Sequence, residues 1–211
     1  SDTGDARAAL EAVRRAVETR GLKLVCYTPE QCVYPVNLAA PSEAERRRSL
    51  KFFEDSLRIA ADLGADKMLV TSGTGYYDGS DHDEAWNHAA ENIAALGEMA
   101  QDYGIRLAFE VLRHDESNLV HNLETLRKML DQINLPSVYG MVDTIPMALA
   151  GETPADYLNA LGKRIIHFHF IDGAPRGHLA WGDGVLDMKG YLTQLEEHDY
   201  EGYLSLEITD G

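Results

Sequence analysis

The chain has 211 residues, of which 45% are hydrophobic and 26% are charged, the proportions of a globular protein with one sizeable core. Its formal net charge of −16 repels phosphate backbones, so we expect no nucleic-acid partner. Two cysteines are too few for a disulfide scaffold, and the sequence shows neither an apolar stretch of transmembrane length nor a signal-peptide pattern. We therefore expect a cytoplasmic protein without a membrane partner.

Short apolar runs alternate with segments of helical period along the whole chain. The apolar runs predict strands at residues 22–28, 66–73, 106–112, 139–144, 164–172 and 203–209. The periodic segments predict helices at residues 5–20, 42–63, 83–103, 122–133, 153–161 and 187–198. Strands that alternate with helices in this way form a parallel sheet covered on both faces, either a closed (β/α) barrel or an open doubly wound sheet.

A dinucleotide-binding sheet is disfavoured, because the glycines of TSGTGYYDG (71–79) lack the required spacing and are typical of an ordinary loop. We predict a (β/α)8 TIM barrel formed by a single domain over residues 1–211. Such a barrel has eight strands, and about six are visible here. We therefore expect an incomplete barrel that lacks an N-terminal β-α-β unit and the last helix.

Four consecutive predicted strands each carry one acidic or imidazole side chain near the C-terminal end. These residues are Glu110, Asp143, His169 and Glu207. The C-terminal ends of barrel strands face one mouth, so the three carboxylates would repel one another unless a cation lay between them. Three oxygen donors and one nitrogen suit octahedral Mn²⁺, Mg²⁺ or Co²⁺ better than a sulfur-rich zinc site, and of these three cations we expect Mn²⁺. For any one of these residues alone, a strand cap or a local salt bridge would be an adequate explanation.

The sequence resembles the xylose-isomerase-like sugar isomerases and epimerases, most closely the ketose 3-epimerase branch of the fructoselysine 3-epimerase kind. The likeness is carried by YTPEQCVYPVN (27–37), FEVLRHDESN (109–118), GMVDTIPMA (140–148), HFHFID (167–172) and GYLSLE (202–207). The resemblance implies a full barrel, a small-molecule sugar substrate and a homo-oligomer. It also implies that the metal ligands are the four residues already singled out.

One position departs from the resemblance. Many ketose 3-epimerases have a histidine three residues after the metal-binding aspartate, and the apurinic endonuclease of the same fold uses one there for its zinc cluster. Here that position is Pro146. The departure disfavours a multi-zinc nuclease and a plain free-ketohexose specificity.

The chemistry that this resemblance implies is C3 epimerisation of a ketose or substituted ketose. A metal-stabilised enediolate would form when Glu110 or Glu207 removes the C3 proton, and the other glutamate would return a proton to the opposite face. Return of the proton on the same face, but to the former carbonyl carbon, would instead move the carbonyl and make the enzyme an isomerase. A lyase of the inosose dehydratase type and a non-catalytic sugar-binding barrel are the alternative functions.

Several further residues are candidates for substrate binding, each with a plainer structural alternative. Glu116 coincides with a substrate-contacting glutamate of the resembled family, although RHDESN is also an ordinary polar loop. Arg176 and His178 lie in a glycine-rich stretch similar to the family's substrate-facing loop. His167 shares the inward face of its strand with His169, where it orients a ligand or a hydroxyl group or is a core histidine. Tyr27, together with Tyr34 and Trp181, forms a wall for the sugar or packs as an ordinary aromatic residue.

Overall fold

The computed structural model describes residues 2–29, 31, 36–75, 81–174 and 176–208. Within these ranges the helices are α1 (Asp2–Thr19), α2 (Glu43–Leu63), α3 (His82–Asp102), α4 (Leu123–Ile133), α5 (Thr144–Leu149), α6 (Pro154–Leu161) and α7 (Met188–Glu197). The strands are β1 (Lys67–Val70), β2 (Arg106–Glu110), β3 (Val138–Asp143), β4 (Ile165–His169) and β5 (Tyr203–Ser205). None of the described helices is long and apolar enough to cross a membrane.

The helices begin where the sequence places side-chain caps. Ser42 caps α2, and Asn122 and Thr153 each form a reciprocal capping box at the start of α4 and α6. Such caps satisfy backbone N–H groups that have no partner within the helix. At the other end of α2, Gly64 adopts a left-handed conformation with φ of 79°, which a residue without a Cβ tolerates. Local sequence therefore fixes most helix boundaries to within a few residues.

The five strands form one parallel sheet in the order β1-β2-β3-β4-β5. Asp143 pairs with His169 between β3 and β4, and His169 pairs with Ser205 between β4 and β5. The sheet does not close among the described residues, but it curls. The Tyr203 ring centre in β5 lies 5.3 Å from Nζ of both Lys67 in β1 and Lys23 near the opposite edge. The sheet is therefore an open half-barrel.

The predicted strand at residues 22–28 is reduced to a single bridge. Tyr27 pairs in parallel with Met68: the Tyr27 N–H donates to Lys67 O and the Leu69 N–H donates to Tyr27 O, both at 2.9 Å. The segment thus lies beside β1 in the predicted direction, but the prediction of a strand there is wrong. A segment with one neighbour gains fewer ladder hydrogen bonds than a central strand, and Leu22 is 62% exposed.

Helix α5 was not predicted, because residues 139–144 read as a strand followed by a loop. The Asp143 carboxylate accepts a hydrogen bond from Ile145 N–H at 2.7 Å and starts the helix directly at the end of β3. Pro146 lies in the first turn, where its missing N–H costs no intrahelical bond. Thr144 consequently belongs to α5 and not to the strand.

Two hydrophobic layers cover the sheet. The larger layer fills the space between the strands and the helices and includes Phe53, Phe109 and Phe168. The smaller layer lies on the inner face of the curl and contains Leu69, Ala108, Met141 and Ile166, one from each of four neighbouring strands. Because side chains alternate between faces along a strand, the inner face also receives Glu110 and Asp143, each two residues beyond a member of this layer.

Candidate metal centre

Three neighbouring strands end on a residue with a metal-ligating side chain. Glu110 is the last residue of β2, Asp143 of β3 and His169 of β4, while Glu207 follows two residues after the end of β5. The strands are parallel, so these four ends lie at the same edge of the sheet. The structure therefore brings together the four residues that the sequence singled out.

The donor atoms of the four side chains converge on one point. One ligand atom from each of Glu110, Asp143, His169 and Glu207 lies within 4.8 Å of the other three. His169 Nδ1 is 2.8 Å from Glu110 Oε1 and 2.9 Å from Glu207 Oε2. Glu110, Asp143 and His169 approach this closely because the register of β2 to β4 aligns the strand ends, and Glu207 joins them from the segment after β5.

The electrostatics of the centre follow from burial and crowding. Burial raises the pKa of Glu110, and burial together with the neighbouring Glu110 charge raises the pKa of Asp143 well above its usual range. Burial alone would lower the pKa of His169, but Glu110 and Glu207 raise it to about 10. Burial would likewise raise the pKa of Glu207, but His169 lowers it. The crowded carboxylates thus create a negative potential, and a positive charge bound among them would stabilise their ionised forms.

Two buried atoms at the centre lack a well-directed partner. Glu110 Oε1 and His169 Nδ1 are close to each other, yet neither makes a hydrogen bond of good geometry with any described residue. Buried polar groups are normally satisfied, so such a pair indicates a missing ligand. Three carboxylates and one imidazole, aimed at a common point, are a donor set that could hold a divalent cation.

A cleft of about 830 Å³ opens from this centre. Its lining includes Glu110, Asp143 and Glu207 and, among the predicted substrate-binding residues, Glu116, Arg176 and His178. His178 lies closest to the centre, with Nε2 3.4 Å from Asp143 Oδ2 and Nδ1 3.5 Å from Glu207 Oε2. The cleft therefore exposes three of the four donor residues, Glu110, Asp143 and Glu207, together with His178.

Ion pairs hold the other two predicted cleft residues. Glu116 accepts a hydrogen bond from the Arg113 backbone N–H at 3.0 Å and pairs with the Arg113 guanidinium at 2.7 Å. Arg176 donates to Asp115 at 2.8 Å, which joins the loop after β4 to the loop after β2. Arg113, Glu116 and Arg176 line the wall of the cleft, so both ion pairs contribute to that wall.

His167 and Tyr27 lie behind the cleft. His167 is fully buried, its Nε2 is 2.9 Å from Ser205 Oγ, and burial lowers its pKa to about 4. Its ring centre is 5.9 Å from that of His169, the candidate ligand on the same strand. The Tyr27 side chain packs against the hydrophobic core. Direct substrate contact by either residue stays a prediction.

Of the other two aromatic candidates, one is exposed and the other lies outside the described residues. Trp181 is 48% exposed and donates through Nε1 to Phe170 O at 2.8 Å. Tyr34 falls outside the described residues. Trp181 is not among the described residues that line the cleft, and the prediction for Tyr34 stays untested.

Some residues that line the cleft could not be predicted from the sequence. Arg113 lines the cleft, and so does Thr71, which donates to Gln31 at 2.8 Å. Arg113 lies three residues after Glu110 in a polar loop, so its charge alone does not distinguish it from a solvated surface residue. Its position becomes apparent only from the ion pair with Glu116.

Comparisons with known proteins agree with this arrangement. A family model described as a xylose isomerase-like TIM barrel matches residues 2–211. The chain is 28% identical over 202 residues to the fructoselysine 3-epimerase of Escherichia coli O157:H7, which covers 94% of this chain and 73% of that protein. It is also 28% identical over 229 aligned residues to the inosose dehydratase of Clostridium botulinum (strain Alaska E43), with the same 94% and 73% coverage.

A solved structure shares the fold. The D-psicose 3-epimerase from Clostridium cellulolyticum H10, determined with D-tagatose, superimposes with a TM-score of 0.81 at 18% sequence identity. The superposition covers 94% of this chain and 68% of that one. At 18% identity, the superposition shows that the two chains share the arrangement of strands and helices.

Proposed function

This chain belongs to the xylose isomerase-like TIM barrel family, and from that premise we propose that it is a divalent-metal-dependent sugar epimerase acting at C3 of a ketose or substituted ketose. Membership confirms the predicted barrel fold, and the similarity to fructoselysine 3-epimerase confirms the predicted relationship to ketose 3-epimerases. The observation that carries the proposal is the convergence of Glu110, Asp143, His169 and Glu207 at the base of a cleft of sugar-accommodating size.

In this proposal the four converging residues hold the cation, which we take to be Mn²⁺, with Mg²⁺ or Co²⁺ as alternatives. When bound, a divalent cation supplies positive charge beside the substrate carbonyl and so stabilises the anion that forms as the neighbouring carbon loses a proton. Glu110 Oε1 and His169 Nδ1, which lie 2.8 Å apart without a hydrogen bond of good geometry, support this assignment, since a bound cation would satisfy both atoms.

Glu110 and Glu207 carry the proton transfers in this scheme. They approach the centre from β2 and from the end of β5, which are separated in the sheet by β3 and β4. Carboxylates that reach a bound sugar from two sides can remove the C3 proton on one face and deliver a proton on the other. No redox cofactor is required, because the substrate and the product are epimers.

The remaining predicted residues receive roles that fit their positions. We assign contacts with the hydroxyl groups or the substituent of the sugar to Glu116, Arg176 and His178, which line the cleft. His167 and Tyr27 support the site from behind. We further propose that the protein acts in the cytoplasm as a homo-oligomer.

Dehydration is the second candidate function. The inosose dehydratase of C. botulinum covers as much of this chain as the fructoselysine 3-epimerase does, at the same identity. A dehydratase would also begin by removing a proton next to a carbonyl, but it would then expel a hydroxyl group as water. The two functions therefore differ in product and not in their first step.

The test replaces each proton carrier in turn. Glu110→Gln and Glu207→Gln keep an oxygen donor for the cation but remove the base, so metal content should fall modestly while turnover falls by about 10²- to 10⁴-fold. In deuterated water the wild-type protein should wash label into C3 of a ketose. A single glutamine variant can still exchange the C3 hydrogen of one epimer without completing the inversion. Glu98→Gln, on the exposed side of α3, is the matched control.

Each alternative gives a different result. Near-normal epimerisation by both glutamine variants would mean that the carboxylates are ligands only. Label at C1 instead of C3 would identify an aldose-ketose isomerase. Loss of water from an inosose would identify a dehydratase, and binding without exchange or dehydration would identify a sugar-binding barrel.

A further inference from the structure

We propose that Asp172 is a positioning residue, which binds the backbone of residues 173 and 182–186 so that His178 is held over the Asp143 and Glu207 side of the centre. The inference rests on the proposed function, because it gives His178 a place in that reaction. It concerns a carboxylate that contributes no ligand atom to the centre and does not line the cleft.

The Asp172 carboxylate lies at the middle of the loop that follows β4. Its Oδ1 accepts hydrogen bonds from the Gly173 and Leu186 backbone N–H groups at 2.8 and 3.0 Å. Its Oδ2 accepts from the Gly182 and Gly184 N–H groups at 3.0 and 3.1 Å. The two oxygens therefore bind both ends of a loop that spans fourteen positions.

The carboxylate is buried and charged. Asp172 is 1% exposed, and although burial alone would raise the pKa of its carboxyl, the four backbone donors lower it. The fit leaves no spare room, since a Cβ added at Gly184 would lie 2.2 Å from Asp172 Oδ1 and 2.5 Å from the Gly173 nitrogen. The loop is thus built around an ionised side chain.

The same residue fixes the position of His178 through the backbone. Asp172 and Leu179 form an antiparallel bridge, with Asp172 N–H donating to Leu179 O at 3.2 Å and Leu179 N–H donating to Asp172 O at 2.9 Å. His178 is the residue before Leu179, so the bridge sets where its side chain starts. From there its imidazole reaches Asp143 and Glu207 at 3.4 and 3.5 Å.

His178 has no strand or helix of its own to hold it. The four candidate ligands lie at or near strand ends, whereas His178 lies in a loop outside the regular elements. Small displacements of a group that contacts a reacting substrate reduce catalysis by large factors. The four hydrogen bonds of Asp172 therefore fix the backbone of the loop that carries His178, just as the sheet fixes the backbone of the candidate ligands.

Asp172→Asn tests the loop without substrate. Asparagine keeps one acceptor and turns an NH₂ group towards two backbone N–H donors, so the loop should loosen. Trypsin cleavage after the exposed Arg176 should become faster, and quenching of Trp181 fluorescence by acrylamide should increase, since Trp86 is buried. Gly184→Ala should give the same result, because its new methyl group would collide with the Asp172 carboxylate. Asp183→Asn, an exposed carboxylate of the same loop, should leave both readings unchanged.

A double-mutant cycle tests whether Asp172 acts through His178. We expect Asp172→Asn to lower kcat/KM by about 10- to 100-fold in the wild-type background. In the His178→Ala background the same change should cost less than about twofold, because the residue it positions is already absent. Mn²⁺ affinity, measured by calorimetry, should change little in Asp172→Asn, since the four ligands do not depend on the loop.

The outcomes separate this inference from the proposed function. Unchanged proteolysis and quenching in Asp172→Asn, or an equal loss of kcat/KM in both backgrounds, would overturn the positioning role in an enzyme that still epimerises ketoses. If the wild-type protein turns over no ketose, the proposed function fails, and the loop measurements alone then decide whether Asp172 holds the loop.

Discussion

Asp143 combines two tasks in one side chain. Its Oδ1 caps α5 through the hydrogen bond from Ile145 N–H at 2.7 Å, while its Oδ2 faces the centre, 3.4 Å from His178 Nε2. A single carboxylate therefore starts a helix and offers a ligand atom to the centre. This division of the two oxygens makes the structural and the ligand roles separable by mutation.

Asp143→Asn should preserve the cap and lose the ligand. Without metal its thermal midpoint should equal or exceed that of the wild type, because a buried like charge beside Glu110 is removed. Its Mn²⁺ affinity, measured by calorimetry, should fall by at least about 100-fold. Mutation of residues that merely contact a metal ligand already lowers metal affinity by about 10- to 100-fold. Asp143→Ala should lose the cap as well, at about 1 kcal/mol. Equal metal-free stability of the two variants would contradict the capping role.

At the scale of elements, β3 depends on a glycine at an irregular point of its pairing. The register between β3 and β4 shifts between Gly140 and Met141, three residues before Asp143. A Cβ at Gly140 would lie 2.7 Å from Ile165 Cδ1 and 3.1 Å from Leu126 Cδ2. A Cβ at this position would therefore force the Ile165 side chain to shift.

Gly140→Ala should lower the free energy of unfolding by about 1–3 kcal/mol through overpacking. Ile165→Val removes the Cδ1 atom that the new methyl group would meet, at a cost of about 0.5–1.5 kcal/mol alone. The double variant should be more stable than the sum of the two changes predicts, as measured by urea denaturation. Strict additivity would show that Ile165 is not the obstacle.

At the scale of the whole molecule, cations can stabilise the protein in two ways: by screening the net charge of −16 and by binding at the candidate metal centre. Any salt screens the general repulsion, whereas a bound divalent ion stabilises only a folded protein that has the site. A thermal shift with Mn²⁺ is therefore informative only when the ionic strength is held constant.

We expect NaCl to raise the thermal midpoint of the wild type and of Asp143→Asn alike. At constant ionic strength, Mn²⁺ at about 100 times its Kd should add about 2.7 kcal/mol to the wild type. It should add much less to Asp143→Asn. Equal Mn²⁺ shifts in the two proteins, read by differential scanning calorimetry, would place the bound metal elsewhere.

The sequence by itself determined the alternation of strands and helices, the parallel sheet and the four converging donors. Periodicity and capping residues are local signals, and helices α2, α4 and α6 begin within one residue of their predicted starts. The four donors were predictable because parallel strands bring their C-terminal ends to one edge, so a residue's place along its strand already fixes its neighbourhood. The resemblance to ketose 3-epimerases then supplied the chemistry.

Tertiary structure alone decided what lies in loops and behind the sheet. Nothing local indicates that Asp172 binds backbone N–H groups up to fourteen residues away, or that His178 reaches Asp143 and Glu207. Only the folded chain places His167 against Ser205 and reduces residues 22–28 to one bridge at Tyr27. Loop paths and edge pairings have no period, and they are set by contacts between residues distant in the chain. The sequence therefore specifies the four candidate ligands, and the packed loop specifies what surrounds them.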